Sequence, residues 1–214
     1  TKYRLVGVDA SGLELRCLAH YMRDPGFTDT VISGDVHAAN QEAAGLATRD
    51  QAKTFIYGFL YGAGPAKIGK IVGGNSKQGQ ILITRFLKNM PHLKKLRNQV
   101  IESVRKTNSI KGLDGRVLHV RAEYSALNTL LQGAGAILCK QWLIHIMEKV
   151  SKYKLDARLV ASVHDEYQFE VALYDIDKFC RITKEAMYQT QRTLDFNCDL
   201  DCNYKVGNNW SETH

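Results

Sequence analysis

The sequence predicts a mixed α/β chain of the α+β kind, with strands toward both ends and a helical region between them. Three observations carry this. A β-branched apolar run opens the chain, two further apolar runs follow one another near residues 158–171, and the long stretch between them repeats its apolar residues with helical period. At 214 residues the chain can bury a sizeable core, as one large domain or as two lobes.

Tyr3 to Val8 reads as a buried strand that ends on Asp9-Ala10-Ser11-Gly12, and Glu14 to His20 has the period of a helix. An acidic residue where a buried strand meets a helix start serves either as an N-cap or as a metal ligand or catalytic carboxylate, and both readings stand at Asp9. Pro25 and Gly34 bracket a predicted loop. Asp35 to Ala44 reads as a short helix carrying His37, which taken alone is an ordinary surface histidine.

The stretch from Thr48 to Gly62 is the most informative. Arg49, Lys53, Tyr57 and Tyr61 recur every fourth residue, so on a helix they form one slowly drifting stripe about 18 Å long, cationic at one end and aromatic at the other. Thr48 and Gln51 predict a capping box, which places both cations near the positive end of the helix dipole. Cations are favoured there only if an anion joins them. A triphosphate is such an anion, with a ring one or two turns on to stack against a base. The alternative is a solvated face with core rings. Two glycines, Gly58 and Gly62, near the helix end favour a close approach to backbone, and Gly64-Pro65 predicts a sharp stop. Gly62-Ala63-Gly64 is no Walker loop, because no Gly-Lys-Ser/Thr follows.

Two or three helical segments are expected from Ala66 to about Arg105, broken at Gly73-Gly74 and Pro91. Lys88, His92, Lys94, Lys95 and Arg97 form a basic cluster there, either a solvated face or a phosphate contact. Ile110 to Leu118 predicts a hairpin turning at Asp114-Gly115. Ser125 to about Lys152 is the longest periodic segment. It buries Leu127, Leu130, Leu131, Ala134, Ile137, Leu138 and Leu143, and sets Asn128 and Gln132 one turn apart on another side. Those amides could meet base edges in a groove or satisfy neighbouring backbone. Arg158 to Val163 and Tyr167 to Val171 are strands joined by His164-Asp165-Glu166, Ile176 to Arg192 is an amphipathic helix, and Asp199 to Val206 is an edge strand with Asp199 and Asp201 as surface charge.

Lys and Arg total 29 against 22 Asp and Glu, and the resulting +7 suits a polyanionic partner without requiring one. Five cysteines without a Cys-x-x-Cys pair predict reduced thiols rather than a disulfide frame or zinc site. With no apolar run of membrane-spanning length and no signal-peptide pattern, a cytoplasmic protein with no membrane partner is expected. The start at Thr1 suggests a fragment, a processed product or one piece of a split protein.

If the strands carrying Asp9 and Asp165 are neighbours, both carboxylates emerge at one sheet edge. Two carboxylates that close persist by sharing a proton or by binding cations, and hard oxygen ligands select Mg²⁺. With a triphosphate-gripping helix, such a pair points to two-metal phosphoryl transfer.

The stretches Asp9-Ala10-Ser11-Gly12-Leu13-Glu14-Leu15-Arg16, Arg49-x3-Lys53-x3-Tyr57-Gly58-x2-Tyr61-Gly62 and Val163-His164-Asp165-Glu166 resemble, in that order, the A, B and C motifs of family A DNA polymerases. The wording from Lys53 to Gly64, and the Gly-x-Asn-Trp-x3-His ending at Gly207 to His214, is most similar to the replicative polymerases of T-odd bacteriophages. The resemblance implies a palm (1–34 and 108–214) with an antiparallel sheet, helical fingers (35–107), and no thumb or exonuclease domain in this stretch. It implies that Asp9 and Asp165, with the Ala10 carbonyl, hold two Mg²⁺ ions, and that Lys53 gives a proton to departing pyrophosphate. Ser11, Gly12, Leu13, Glu14, His37, Arg49, Lys53 and Tyr57 would surround the dNTP, with Glu14 filling the space of a ribose 2′-hydroxyl. Tyr61, Gly62, Asn128, Gln132 and His164 would meet template and primer DNA. A separate exonuclease-thumb portion and a processivity factor are further implied partners. The stretch departs from the family in a shorter loop before the Lys111 hairpin and in Tyr124, where bacterial members place Arg. A single-subunit RNA polymerase is the rival enzyme, disfavoured by Glu14, and a catalytically silent DNA-binding module is the rival outside enzymes.

Overall fold

The computed structural model describes residues 2–214. In chain order the elements are β1 (Tyr3–Ala10), α1 (Leu13–Met22), α2 (Pro25–Ser33), α3 (Val36–Ala44), α4 (Arg49–Leu60), α5 (Pro65–Ile71), α6 (Ser76–Asn89), α7 (Pro91–Thr107), β2 (Ser109–Lys111), β3 (Val117–His119), α8 (Ala126–Lys152), β4 (Ala157–Val163), β5 (Glu166–Ala172), α9 (Ile176–Thr193), β6 (Cys202–Gly207) and α10 (Trp210–Thr213). They form two compact units, Thr1–Cys17 with Ala134–His214, and Leu18–Gly133.

The first unit is built on an antiparallel sheet ordered β4-β5-β1-β6. Alternation along β1 sends Val6 and Val8 to one face, opposite Phe169 and Tyr167 of β5. On that face Trp142 meets Tyr167 at 5.5 Å between ring centroids, Phe169 meets Phe179 at 4.8 Å, and the Trp142 indole donates to the Thr183 carbonyl. Burying Trp142, Phe169 and Phe179 contributes roughly 2–3 kcal/mol each relative to exposure. The other face carries Gly7 and Asp9, opposite Gln168 and Glu166. Gly7 is required there: a Cβ would stand 2.5 Å from both the Gln168 amide and the Thr213 carbonyl of α10.

In the second unit Phe55 and Phe59 of α4 close on Phe86 of α6, at 4.9 and 5.5 Å, with Ile56, Leu60 and Ile68 buried around them. This fixes α4 by its apolar side, so its basic and aromatic stripe lies elsewhere on the helix.

Four expectations change. The segment bracketed by Pro25 and Gly34 is helix α2, because Asp24 caps it, accepting from the Phe27 N–H at 3.2 Å, and Pro25 stands where the helix has no use for an N–H. The capping box of α4 is half made. Thr48 accepts from the Gln51 N–H, while Gln51 Oε1 is buried without a hydrogen-bond partner among the described residues. On α8 the fully buried residue is Trp142, not its neighbour Leu143. Asp199 and Asp201 precede β6 rather than lying along it, and Asp201 pairs with Lys184 at 3.4 Å. The expected strands, the hairpin and the remaining helices form, with ends shifted by a few residues. All five cysteines are buried and free. Among the described residues no helix is long and apolar enough to cross a membrane.

Candidate active site

In the sheet unit the backbone ladder positions the two predicted carboxylates. Asp9, next to last in β1, pairs with Glu166, and the Ala10 N–H donates to the Asp165 carbonyl at 3.0 Å, which ties the hairpin tip to the end of β1. His164 and Asp165 form a two-residue connection, with His164 at φ +54°, left-handed backbone that a non-glycine residue adopts at a cost of about 1–2 kcal/mol. Asp9 lies on the exposed face, yet its carboxyl is raised from 3.8 to about 6, first by burial of the group, then by the charges of Asp165 and Glu166. The ladder therefore brings the Asp165 carboxylate near enough for its charge to act on Asp9. Beneath them burial raises the Cys139 thiol to about 12, with Asp165 and Asp9 adding to it, so the floor is neutral.

The turn after β1 is equally constrained. The Ser11 N–H donates to the Asp201 carbonyl at 2.9 Å, Asn203 donates to Ser11 Oγ at 3.0 Å, and Gly12 takes φ +55°. Leu13 is buried, with a Cβ at Gly135 of α8 coming within 3.4 Å of it, and Glu14 stands half-buried in the first turn of α1.

A network that sequence reasoning missed lies beside Asp9. Glu166 accepts from Gln168 and from Trp210 Nε1, its other oxygen lies 2.7 Å from His214 Nδ1, and Thr213 donates to Gln168 at 2.8 Å. Burial pushes the Glu166 carboxyl up, but these hydrogen bonds and the His214 charge outweigh it and hold the group low. The Gly207 to His214 wording was visible in the sequence. Its meeting with Glu166, 48 residues earlier, was not.

In the helical unit the predicted stripe forms. Tyr57 and Tyr61 stack at 6.4 Å, and His37 of α3 lies 6.2 Å from Tyr57. Lys53 is exposed, and Arg49 Nε donates to Asp35 at 2.7 Å. His37 Nδ1 is buried with no hydrogen-bond partner among the described residues; burial, then the Arg49 charge, hold its imidazole below the ordinary value. Gly62, at φ +77°, has the Tyr124 carbonyl against it, where a Cβ would stand at 2.2 Å. Asn128 and Gln132 lie one turn apart on α8, Gln132 exposed and Asn128 half-buried, its Oδ1 without a hydrogen-bond partner among the described residues. Lys88, Lys94 and Arg97 of the basic cluster rim a cavity of about 620 Å³ that Gly62, Gly64 and Tyr124 also line. His92 lies 3.0 Å from Asp24 and is not on that rim.

Asp9 and Asp165 bring two carboxylates to one end of the sheet, where the Asp165 and Glu166 charges act on Asp9 and those of His214 and Lys205 partly offset them. Among the described residues no group of three or more His, Cys, Asp or Glu side chains converges on one point. Carboxylate oxygens are the hard ligands that Mg²⁺ takes, one or two at a time, with water and substrate phosphate filling its remaining positions.

Fold and site together define a class, α+β proteins with acidic side chains gathered at one edge of an antiparallel sheet. Residues 1–212 match the model of DNA polymerase family A, and the chain belongs to that family. It is 44% identical over 232 residues to the DNA-directed DNA polymerase of Enterobacteria phage T3, and equally so to that of Escherichia phage T7, in each case over 97% of this chain and 33% of the relative. DNA polymerase I of Pseudomonas aeruginosa is 28% identical over 99% of the chain and 25% of its own length. The chain thus spans about a third of the length of the T3 and T7 relatives. The fold matches that of the POL domain of Pol1 from M. smegmatis, solved in complex with DNA primer-template and dNTP, with a TM-score of 0.88, 22% identity and coverage of 99% of this chain and 41% of that one.

Proposed function

We propose that this chain is the polymerising portion of a template-directed DNA polymerase that joins dNTPs to a primer 3′-hydroxyl in phage DNA replication, acting in the host cytoplasm. The observation that carries the reading is the carboxylate pair at the end of β1 and the β4–β5 tip, where burial first, and then the charges of Asp165 and Glu166, raise Asp9 to about 6. In this reading residues 1–34 and 108–214 are palm and 35–107 are fingers.

Asp9, Asp165 and the Ala10 carbonyl would hold two Mg²⁺ ions, which when bound activate the primer hydroxyl and steady the leaving pyrophosphate. The chain's own residues do the rest. Arg49 and Lys53 grip the β- and γ-phosphates, and Lys53 Nζ delivers a proton to the departing pyrophosphate. The neutral His37 meets the β-phosphate, Tyr57 packs on sugar and base, and the backbone of Ser11, Gly12 and Leu13 lines the phosphates. Glu14 excludes a 2′-hydroxyl by clash and desolvation. Tyr61 and Gly62 lie under the template, His164 touches the primer end, and Asn128 with Gln132 meets minor-groove acceptors common to every Watson–Crick pair, so it tests shape rather than sequence. A separate exonuclease-thumb portion and a processivity factor complete the working enzyme.

Primer extension at low salt, with dNTPs or rNTPs, tests this. Mg²⁺-dependent dNTP extension in wild type, lost by about 10³-fold or more in Asp165→Ala, is expected. Efficient rNTP extension would instead identify an RNA polymerase, and no extension by either protein, alone or with a supplied thumb portion, a DNA-binding module.

A further inference from the structure

Two groups read above as phosphate contacts, Arg49 and His37, stand on different helices of one unit, and a single carboxylate touches the start of both. Asp35 Oδ1 accepts from the N–H groups of His37 and Ala38, each at 3.1 Å, and so caps α3. Its Oδ2 accepts from Arg49 Nε at 2.7 Å. Arg49 is the first residue of α4, at the positive end of that helix dipole, where a guanidinium needs a compensating charge.

We infer that Asp35 is a positioning residue for nucleotide binding: it holds Arg49 by Nε, leaving both Nη groups for phosphate, and fixes the helix start that sets His37 beside them. The inference rests on the triphosphate reading of α3 and α4. Both side chains are about half exposed, at 45% for Asp35 and 53% for Arg49. An ion pair so exposed adds little to stability. Its effect is to order a long side chain that otherwise loses rotamer freedom only when the ligand arrives. The geometry suits the fork of a guanidinium, in which one N–H can be spent on orientation while the outer pair remains for an anion. A bare carboxylate this close would repel a triphosphate. Three donors engage Asp35, and with the Arg49 hydrogen bond as the largest cause they hold its carboxyl at about 2, so its charge is already answered.

Asp35→Asn tests the inference cleanly, since the Asn oxygen caps a helix as well as Asp does while the acceptor and charge toward Arg49 Nε are both lost. Wild type, Asp35→Asn, Arg49→Ala and the double variant are compared by equilibrium dialysis with Mg²⁺-dATP, by steady-state single-nucleotide incorporation on a primed template, and by melting temperature. In Asp35→Asn the dATP Kd and the KM rise about tenfold while kcat and melting temperature hardly move, and the double variant binds no more weakly than Arg49→Ala alone. Unchanged or tighter dATP binding in Asp35→Asn would overturn the inference, as would additive losses in the double variant or a wild-type dATP affinity that Arg49→Ala leaves untouched. A wild type that binds dATP through Arg49 yet extends no primer would end the polymerase reading, and dialysis alone would then decide for or against Asp35.

Discussion

The carboxylates of the sheet unit and the cations of the helical unit are held by opposite means. Asp9 and Asp165 are short side chains at the ends of hydrogen-bonded strands, and the Ala10–Asp165 backbone bond fixes their spacing before any ligand arrives. Arg49 and Lys53 are long, solvent-exposed side chains on one helix face, with a single carboxylate steadying the first. In the proposed function this difference has a use: a metal pair would tolerate little error in position and so needs ligands on a sheet, whereas a triphosphate has many oxygens and rotating bonds that flexible cations can follow. Rigid placement of a partly buried carboxylate beside two others has an electrostatic cost, visible in the raised Asp9 carboxyl, that a proton or a cation removes.

The sharpest way to break this contrast is to move each group slightly without changing its charge. Asp9→Glu, longer by one methylene at a fixed backbone site, should lower kcat by about 10²-fold or more, whereas Arg49→Lys should cost about tenfold, mostly in KM. Equal losses in kcat would show that the two sites are equally tolerant. Next in size is Gly62→Ala. The positive φ and the 2.2 Å approach to the Tyr124 carbonyl should combine to destabilise the fold by about 2–3 kcal/mol, read as a lower denaturant midpoint. A neutral result would mean that this turn yields easily. Smallest is His164→Gly. Relief of the left-handed backbone at the hairpin tip should raise stability by roughly 0.5–1 kcal/mol while weakening primer binding, and a loss of stability would show that the tip stores no strain.

How much of this was legible in the sequence depended on how local each feature was. The strand ending on Asp9, the four-residue stripe of α4 and the hairpin at Asp165 are each written within one stretch, and each formed as its pattern required. The α2 segment was misread because Pro25 and Gly26 look like a turn until Asp24 is seen as the cap before them. Trp142 was missed because period alone does not choose between adjacent positions on a helix whose two sides are both largely buried. Asp35 was read only as the opening of a helix, since its partner Arg49 lies fourteen residues on. The Glu166–His214 contact joins residues 48 apart, and no local pattern could announce it.

The most direct measurement of the central claim is stability against pH, with and without millimolar Mg²⁺, for wild type and Asp9→Asn. A folded-state carboxyl at about 6, against an ordinary value of 3.8, favours the protonated folded form, so its contribution is full below pH 3.8 and is lost as pH rises toward 6. Metal-free wild type should therefore lose about 1 kcal/mol across that window, after allowance for the solvent screening of an exposed group, relative to Asp9→Asn. Mg²⁺ at pH 7 should restore it in wild type alone. Identical pH profiles for the two proteins, both indifferent to Mg²⁺, would contradict the account.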